Sequence, residues 1–86
     1  MARAIQMVLV TSTACHLCEH AKDILARLTH EYPMQCREVD ITSDEGRKIV
    51  RHHRAPFPPI LLIDGRFHCH GRVSEKKLRN VLDHAM

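Results

Sequence analysis

Short apolar runs along the chain predict four strands. Residues 4–11 and 60–63 are almost entirely apolar, which is typical of strands covered on both faces. Residues 34–41 and 66–70 mix apolar and polar side chains, so we expect half-exposed strands there. The dipeptide Asp64-Gly65 between the last two runs predicts a tight turn. The last two strands should therefore form a hairpin.

Longer segments with helical periodicity predict three helices. Apolar residues recur every three to four positions over 17–32, and a following proline ends this segment. Ser43 can cap a short helix that runs to about His52, although Gly46 inside it weakens the prediction. Ser74 can cap a last helix, whose apolar positions are Leu78, Val81, Leu82 and Ala85. The element order is therefore βαβαββα.

This order and the apolar pattern indicate an α/β sandwich. We expect the two wholly apolar strands in the centre of the sheet, the two mixed strands at its edges, and helices on both faces. With 86 residues, 44% hydrophobic and 27% charged, the chain predicts one globular domain over 1–86. Aromatic residues are only 3%, which argues against stacking on nucleic-acid bases.

No apolar run in the sequence is long enough to cross a membrane. A spanning helix needs about 18 apolar residues, and no run in this chain approaches that length. The longest run is also too short for the apolar core of a secretory signal. We therefore expect a cytoplasmic protein with no membrane partner.

A close cysteine pair, Cys15 and Cys18, falls between the first strand and the first helix. A thiolate at a helix N-terminus meets unpaired backbone N–H groups, which lower its pKa from about 8.5 to roughly 3.5–7.5. The two-residue spacing brings the second sulfur round the first turn to the first. Because a reducing compartment disfavours structural disulfides, this pair favours reversible thiol–disulfide exchange.

Metal binding is the alternative interpretation of the pair. Zinc or an iron–sulfur cluster could be held by the two thiols together with some of the eight histidines or a second subunit. We expect Cys36 and Cys69 at opposite sheet edges, each as a small apolar core residue, so they do not complete a four-thiol site. Alternation over 66–70 puts Phe67 and Cys69 on one face and His68 and His70 on the other, as a weak metal pair or as exposed imidazoles. We assign no metal ligand.

One cluster of basic residues stands out from an otherwise even charge distribution. The formal net charge is only +3, and the cluster lies in the segment predicted as the second helix. We interpret it as a solvated helix face, with binding of nucleic acid or of an acidic partner as the alternative. Its members are Arg47, Lys48, Arg51 and Arg54, joined by His52 and His53.

Several segments together resemble the thioredoxin-fold glutaredoxins, most closely the small bacterial glutaredoxin-like proteins. The cysteine pair is moderately specific by itself, and the proline-strand-Asp-Gly segment about 40 residues later adds much to it. The matching segments are Thr11-Ser12, Cys15-His16-Leu17-Cys18, Glu38-Val39-Asp40-Ile41, Pro59-Ile60-Leu61-Leu62-Ile63-Asp64-Gly65 and Gly71-Arg72-Val73-Ser74.

The resemblance implies a thioredoxin-like fold and a disulfide oxidoreductase. The fold has a four-stranded mixed sheet in the order 2-1-3-4, flanked by three helices. By the same resemblance Cys15 is the nucleophile, Cys18 resolves the mixed disulfide, and a cis-proline lies opposite them. Pro59 holds the matching place for that proline, with Pro58 beside it. A trans proline that opens the strand is the alternative.

The resemblance also implies which groups contact the substrate. The residue before the cis-proline binds substrate backbone in this family, and here Pro58 offers a carbonyl but no N–H. Further expected contacts are Thr13, His16, Arg54 and Gly71. Substrates would be protein or small-molecule disulfides, with electrons from glutathione or a thioredoxin-reductase type of donor. We expect a monomer that needs no cofactor other than glutathione as co-substrate, acting in electron transport and cell redox homeostasis.

Overall fold

A computed structural model describes residues 4–85 and has the predicted element order. The strands and helices are β1 (Ile5–Thr11), α1 (His16–Leu28), β2 (Met34–Asp40), α2 (Asp44–His53), β3 (Ile60–Ile63), β4 (Arg66–His70) and α3 (Glu75–Ala85). Asp64 and Gly65 join β3 to β4 with φ values of 50° and 80°, as a two-residue hairpin turn requires.

The sheet has the order β2-β1-β3-β4, which confirms the expected fold class. β1 pairs with β2 in parallel and with β3 antiparallel, and β3 pairs antiparallel with β4. The two apolar strands are therefore central and the two mixed strands are at the edges, as expected. A central strand has helices on both faces and so buries most of its side chains, whereas an edge strand leaves more of them exposed.

Two apolar clusters lie on opposite faces of this sheet. The first joins β1 and β3 to α1 and α3, and its buried members are Ile5, Met7, Leu9, Ala21, Ile24, Leu25, Leu28, Leu61, Val73, Leu78 and Leu82. The second lies under α2, and its buried members are Val10, Val39, Ala55, Ile60 and Leu62. Alternate residues of β1 and β3 serve the two clusters, because successive side chains of a strand point to opposite faces.

A bulge in β4 contradicts the simple alternation predicted for that strand. Leu61 pairs with Cys69, but the next residue, Leu62, pairs with Phe67, so His68 is an extra residue. Cys69 consequently packs against the first cluster while Phe67 lies on the α2 face. The predicted sharing of a face by Phe67 and Cys69 is wrong, because periodicity in a sequence cannot show where a ladder gains a residue.

The first helix is shorter than its periodicity predicts. α1 ends at Leu28, and the hydroxyl of Thr29 donates to the carbonyl of Ala26 at 2.7 Å. The chain then turns, and Tyr32 still packs against the first cluster. Its hydroxyl donates to Asp83 of α3 at 2.5 Å. Tyr32 therefore packs where a longer helix would have placed it, which is why the periodicity of apolar residues extends beyond the end of α1.

Arg79 of α3 ties this helix to the turn after α1. Its guanidinium bonds to Glu31 at 2.7 Å and to Glu75 at 3.0 Å. Hydrogen bonds from Arg79 hold the pKa of Glu31 below its ordinary value. The pKa of Glu75 is lowered in the same way, first by Arg27 and then by Arg79. Because these side chains are exposed or only half-buried, the pairs stabilise the fold only modestly.

A close backbone approach fixes α2 against the end of β2. Ser43 caps α2 as predicted, and its hydroxyl accepts the N–H of Gly46 at 3.0 Å. Gly46 is buried, and a Cβ atom there would lie 2.2 Å from the carbonyl oxygen of Asp40. This position therefore needs a glycine for space, although glycine weakens a helix.

Candidate active site

The loop between β1 and α1 presents the first cysteine at a helix N-terminus. β1 ends at Thr11, and Ala14, with a φ of 53°, turns the chain into the helix. Cys15 has extended dihedral angles and is the N-cap residue of α1. Its backbone carbonyl accepts the N–H of Glu19 at 3.1 Å. The sulfur of Cys15 therefore lies beside the first amides of the helix, where an anion is stabilised.

Cys15 and Cys18 form a disulfide bond, and their Cα atoms are 5.2 Å apart. The backbone N–H of Cys18 donates to the Sγ atom of Cys15 at 3.1 Å. The Cys18 side chain is fully buried, whereas Cys15 is partly exposed. An incoming molecule can therefore reach the sulfur of Cys15 and not that of Cys18.

The proline segment before β3 lies at the same end of the sheet as the disulfide. Ile60 pairs with Val10, so Pro59 stands level with the end of β1, from which the cysteine loop emerges. The Pro58–Pro59 peptide bond is cis, so Pro59 is the cis-proline that the resemblance implies, and the alternative of a trans proline is wrong. The buried Pro59 offers its carbonyl to the N–H of Gly71 at 2.8 Å. This bond joins the proline segment to the end of β4.

A shallow pocket of about 200 Å³ opens beside the disulfide. It is lined by Ala14, Cys15, His16 and Glu19. His16 is among the predicted site residues and Glu19 is not, although Glu19 follows Cys15 by one helical turn, which is a signal in the sequence. The Glu19 carboxylate accepts a hydrogen bond from Lys22 at 3.1 Å. The charge beside the pocket is therefore partly balanced.

The other predicted contact residues lie outside this pocket. Thr13 is exposed in the cysteine loop, and Pro58 is half-buried in the proline segment. Arg54 is exposed and ends α2 in the left-handed region, with a φ of 52°. Gly71, with a φ of 77°, follows β4. These residues come from three separate loops, and the main-chain bond from Gly71 to the proline segment links two of them.

The two remaining cysteines lie on opposite edge strands, as predicted. Cys69 is half-buried against the first cluster. Cys36 is exposed, so its prediction as a core residue is wrong: it lies on the edge strand β2, of which Val39 is buried and Cys36 is not. Desolvation raises the pKa of both thiols above the ordinary value. Neither thiol is therefore a ready nucleophile at neutral pH.

The two histidines of β4 do not share a face, so the prediction of a shared face is wrong and the alternative of a metal pair loses its basis. The bulge places His68 out of step with His70, whose ring lies 6.1 Å from that of Phe67 on the α2 face. Burial first, and Lys77 second, lower the pKa of His68. Over residues 4–85, no group of three or more His, Cys, Asp or Glu side chains is placed to hold a metal ion.

Comparison with known proteins establishes the family. Residues 6–83 match the family described as Glutaredoxin-like domain (DUF836). The chain belongs to this family. Uncharacterized proteins of Mycobacterium tuberculosis and Mycobacterium bovis are each 32% identical to this glutaredoxin-like chain over 76 residues, which is 86% of this chain and 78% of theirs. The resemblance stated from the sequence motifs is thereby confirmed.

Solved structures confirm the fold of this glutaredoxin-like protein. A thioredoxin variant from Halobacterium salinarum superposes with a TM-score of 0.72 at 15% identity, covering 95% of this chain and 74% of that chain. Thioredoxin O2 from Arabidopsis thaliana in its oxidized state gives 0.70 at 19% identity, covering 94% and 74%. These similarities show a thioredoxin-like fold. Within residues 4–85, none of the helices is long and apolar enough to cross a membrane.

Proposed function

We propose that this glutaredoxin-like protein is a thiol–disulfide oxidoreductase in which Cys15 is the nucleophile and Cys18 the resolving thiol. The observation that carries the proposal is the asymmetry of the disulfide. Cys15 caps α1 and is partly exposed, whereas Cys18 is 0% exposed. Membership of the family supports a redox role in general.

The helix N-terminus stabilises the sulfur of Cys15 as a thiolate. The N–H of Cys18, 3.1 Å from that sulfur, is one of the amides that would hold the negative charge. A lowered pKa gives more thiolate at pH 7, but each thiolate is less nucleophilic, so the two effects on the rate of attack largely cancel. The larger effect is that Cys15 becomes a good leaving group, which suits reversible exchange.

Each turn of the proposed reaction moves two electrons and two protons. The Cys15 thiolate attacks a substrate disulfide, whose S–S bond breaks, and one substrate thiolate leaves and takes up a proton. The Cys18 thiol then loses its proton and attacks the Cys15 sulfur. The mixed disulfide between Cys15 and the substrate breaks, and the second substrate thiolate leaves and takes up a proton. The substrate is reduced to a dithiol, and the Cys15–Cys18 disulfide seen in the structure is the oxidised product.

Reduction of this disulfide returns the protein to its starting state. Two molecules of glutathione or one dithiol of a thioredoxin-reductase type of donor would supply the two electrons, and glutathione would then be a co-substrate. The Pro58 carbonyl, Thr13, His16, Arg54 and Gly71 are our candidate substrate contacts. We keep a cytoplasmic location as our expectation, because a reducing compartment is where such a pair is turned over.

Cysteine variants test the assignment of the two roles. A parent protein with Cys36→Ser and Cys69→Ser removes the two thiols that could form adducts of their own. In this parent, reduced Cys18→Ser should trap hydroxyethyl disulfide as a mixed disulfide seen by intact mass. The matched Cys15→Ser variant should trap little, because its remaining thiol is buried. Equal adducts in the two variants would contradict the proposal.

A further inference from the structure

The outward face of α2 carries an unusual set of cations. We call Arg47, Lys48, Arg51 and Arg54 the basic face, and all four are exposed. In the described residues 4–85 their side chains form no ion pair or hydrogen bond, whereas Lys22, Arg27, Arg37 and Arg79 each bind a carboxylate. Of the two carboxylates within α2, Glu45 is bound by Arg37, and Asp44 lies in the first turn, away from the last turn that carries Arg51.

The stability of α2 accounts for only one of these four cations. A positive charge in the last turn stabilises a helix through its dipole, and this explains Arg51. Arg47 and Lys48 lie in the first half of α2, where that gain is absent. Arg54 occupies a left-handed position, with a φ of 52°, that glycine fills at less cost. Arginine at this position therefore raises the conformational free energy of the folded chain relative to glycine.

One end of the basic face, Arg54, is joined by a short segment to the end of the sheet that carries the disulfide. Arg54 opens the segment that ends at the cis-proline Pro59, which lies at the same end of the sheet as the cysteine loop. Within this segment Phe57 is 66% exposed, and Leu17, between the two cysteines, is 36% exposed. Positive charge and apolar surface therefore occur together on the approach to the partly exposed Cys15 sulfur.

We infer that the basic face docks a partner protein whose reactive disulfide is flanked by acidic residues. This inference rests on the proposed function and adds the class of partner to it. Four exposed cations would attract such a partner and would orient its disulfide towards Cys15. Nucleic acid fits this surface less well for two reasons. The surface adjoins the proposed thiol-exchange site, and Phe57 is a single exposed aromatic ring, whereas binding of single strands uses several rings that stack on bases.

Exchange kinetics with charged peptides test the inference. The substrates are two peptides with the same disulfide core, one flanked by Asp and Glu and the other by Lys, and neutral hydroxyethyl disulfide. At low salt we expect the acidic peptide to show about tenfold higher kcat/KM than the basic peptide, and the difference to shrink at 0.5 M salt. Equal rates for the two peptides at low salt would overturn the inference.

Two double charge reversals locate the effect on the surface. Arg47→Glu/Lys48→Glu should lower kcat/KM for the acidic peptide about tenfold and leave that for hydroxyethyl disulfide unchanged. Lys76→Glu/Lys77→Glu is the matched control, since it reverses two adjacent exposed lysines of α3, on the other face of the sheet. Equal losses in the two variants would mean that only net charge matters, which would also overturn the inference.

Two further outcomes have separate meanings. If the protein reduces none of the three disulfides, the proposed function itself fails, and this differs from activity without charge preference. A single-stranded oligonucleotide is added as a competitor at low salt. Stronger binding of the oligonucleotide than of the acidic peptide would overturn the choice of a protein partner, and weaker binding would support it.

Discussion

Replacing Gly46 by alanine sets two physical effects against each other. Gly46 lies in the first turn of α2, and alanine is preferred over glycine in helices by up to about 1 kcal/mol. Helix propensity alone therefore predicts a more stable protein. The structure predicts the opposite, because the new Cβ would lie 2.2 Å from the Asp40 carbonyl oxygen and 2.9 Å from the Cα of Ile41.

The clash cannot be relieved by rotation of a side chain, because both contacted atoms belong to the backbone. The Asp40 carbonyl accepts the N–H of Ser43 at 3.0 Å and its hydroxyl at 2.6 Å, and Ile41 donates its N–H to Thr11 at 2.8 Å. Moving this turn by about 1 Å would weaken these bonds, each of which contributes about 0.5–1.5 kcal/mol. Overpacking itself costs about 1–3 kcal/mol.

Together these effects should outweigh the helix propensity. We expect Gly46→Ala to lower the free energy of unfolding by about 2 kcal/mol, which for a domain of this size lowers Tm by about 10 °C. Urea unfolding followed by circular dichroism measures the first value and a thermal scan the second. Lys48→Ala on the exposed side of the same helix is the control, and it should change stability by less than about 0.5 kcal/mol. A Gly46→Ala protein as stable as the wild type would refute the steric argument.

Three other predictions concern the ion pairs, the thiols and the core. Because the glutamates bound by Arg79 have lowered pKa values, their contribution to stability is present above their ordinary pKa of about 4.5 and is lost as pH falls through the folded values. The Tm of Arg79→Met should therefore lie below that of the wild type at pH 7, with the gap closing towards pH 3. In the reduced protein, iodoacetamide at pH 6 should label Cys15 before Cys36, since desolvation raises the pKa of Cys36; peptide mass mapping reads the order, and faster labelling of Cys36 would count against it. Leu61→Ala, at a fully buried position of a central strand, should cost about 2–5 kcal/mol in urea unfolding, and a loss under about 1 kcal/mol would mean that the site collapses freely.

Local patterns were enough to predict the elements, the central strands and the α/β class, whereas the order of the sheet was implied by the family resemblance. Wholly apolar runs mark strands covered on both faces, so 4–11 and 60–63 could be placed in the centre of the sheet. Ser43 and the turn at Asp64 act through neighbouring backbone atoms, and both were predictable for that reason. Features of this kind need no knowledge of distant residues.

Features that depend on distant contacts were not predictable. The bulge at His68 depends on how β4 pairs with β3, and it reverses the face of Phe67 without any signal in the alternation. The exposure of Cys36 depends on what covers β2, and the end of α1 before Tyr32 depends on a turn that still satisfies the apolar spacing. In each instance the residue pattern agrees with two arrangements, and only the tertiary packing distinguishes them.

The candidate site shows the same division. Its cysteine pair and the proline at position 59 are sequence motifs. The spacing of Glu19 from Cys15 is a weaker signal, and the pocket in the structure is what identifies Glu19 as a lining residue. The absence of carboxylate partners for the basic face within residues 4–85 is likewise a tertiary fact. A cluster of basic residues in a sequence can have every side chain bound to a carboxylate in the folded protein. Arg37 is an example, because Glu45, eight residues later, binds its guanidinium.

The different exposure of the two sulfurs follows from the phase of one helix. Cys18, Ala21 and Leu25 follow one another at spacings of three and four residues, so they share the face of α1 that packs on the sheet, and all three are buried. Cys15 lies before the first helical turn and escapes this face. A spacing shorter by one residue would put the second thiol at the position of Leu17, which is 36% exposed. Either sulfur could then be attacked, and the order of steps in the proposed exchange would no longer be determined by the fold.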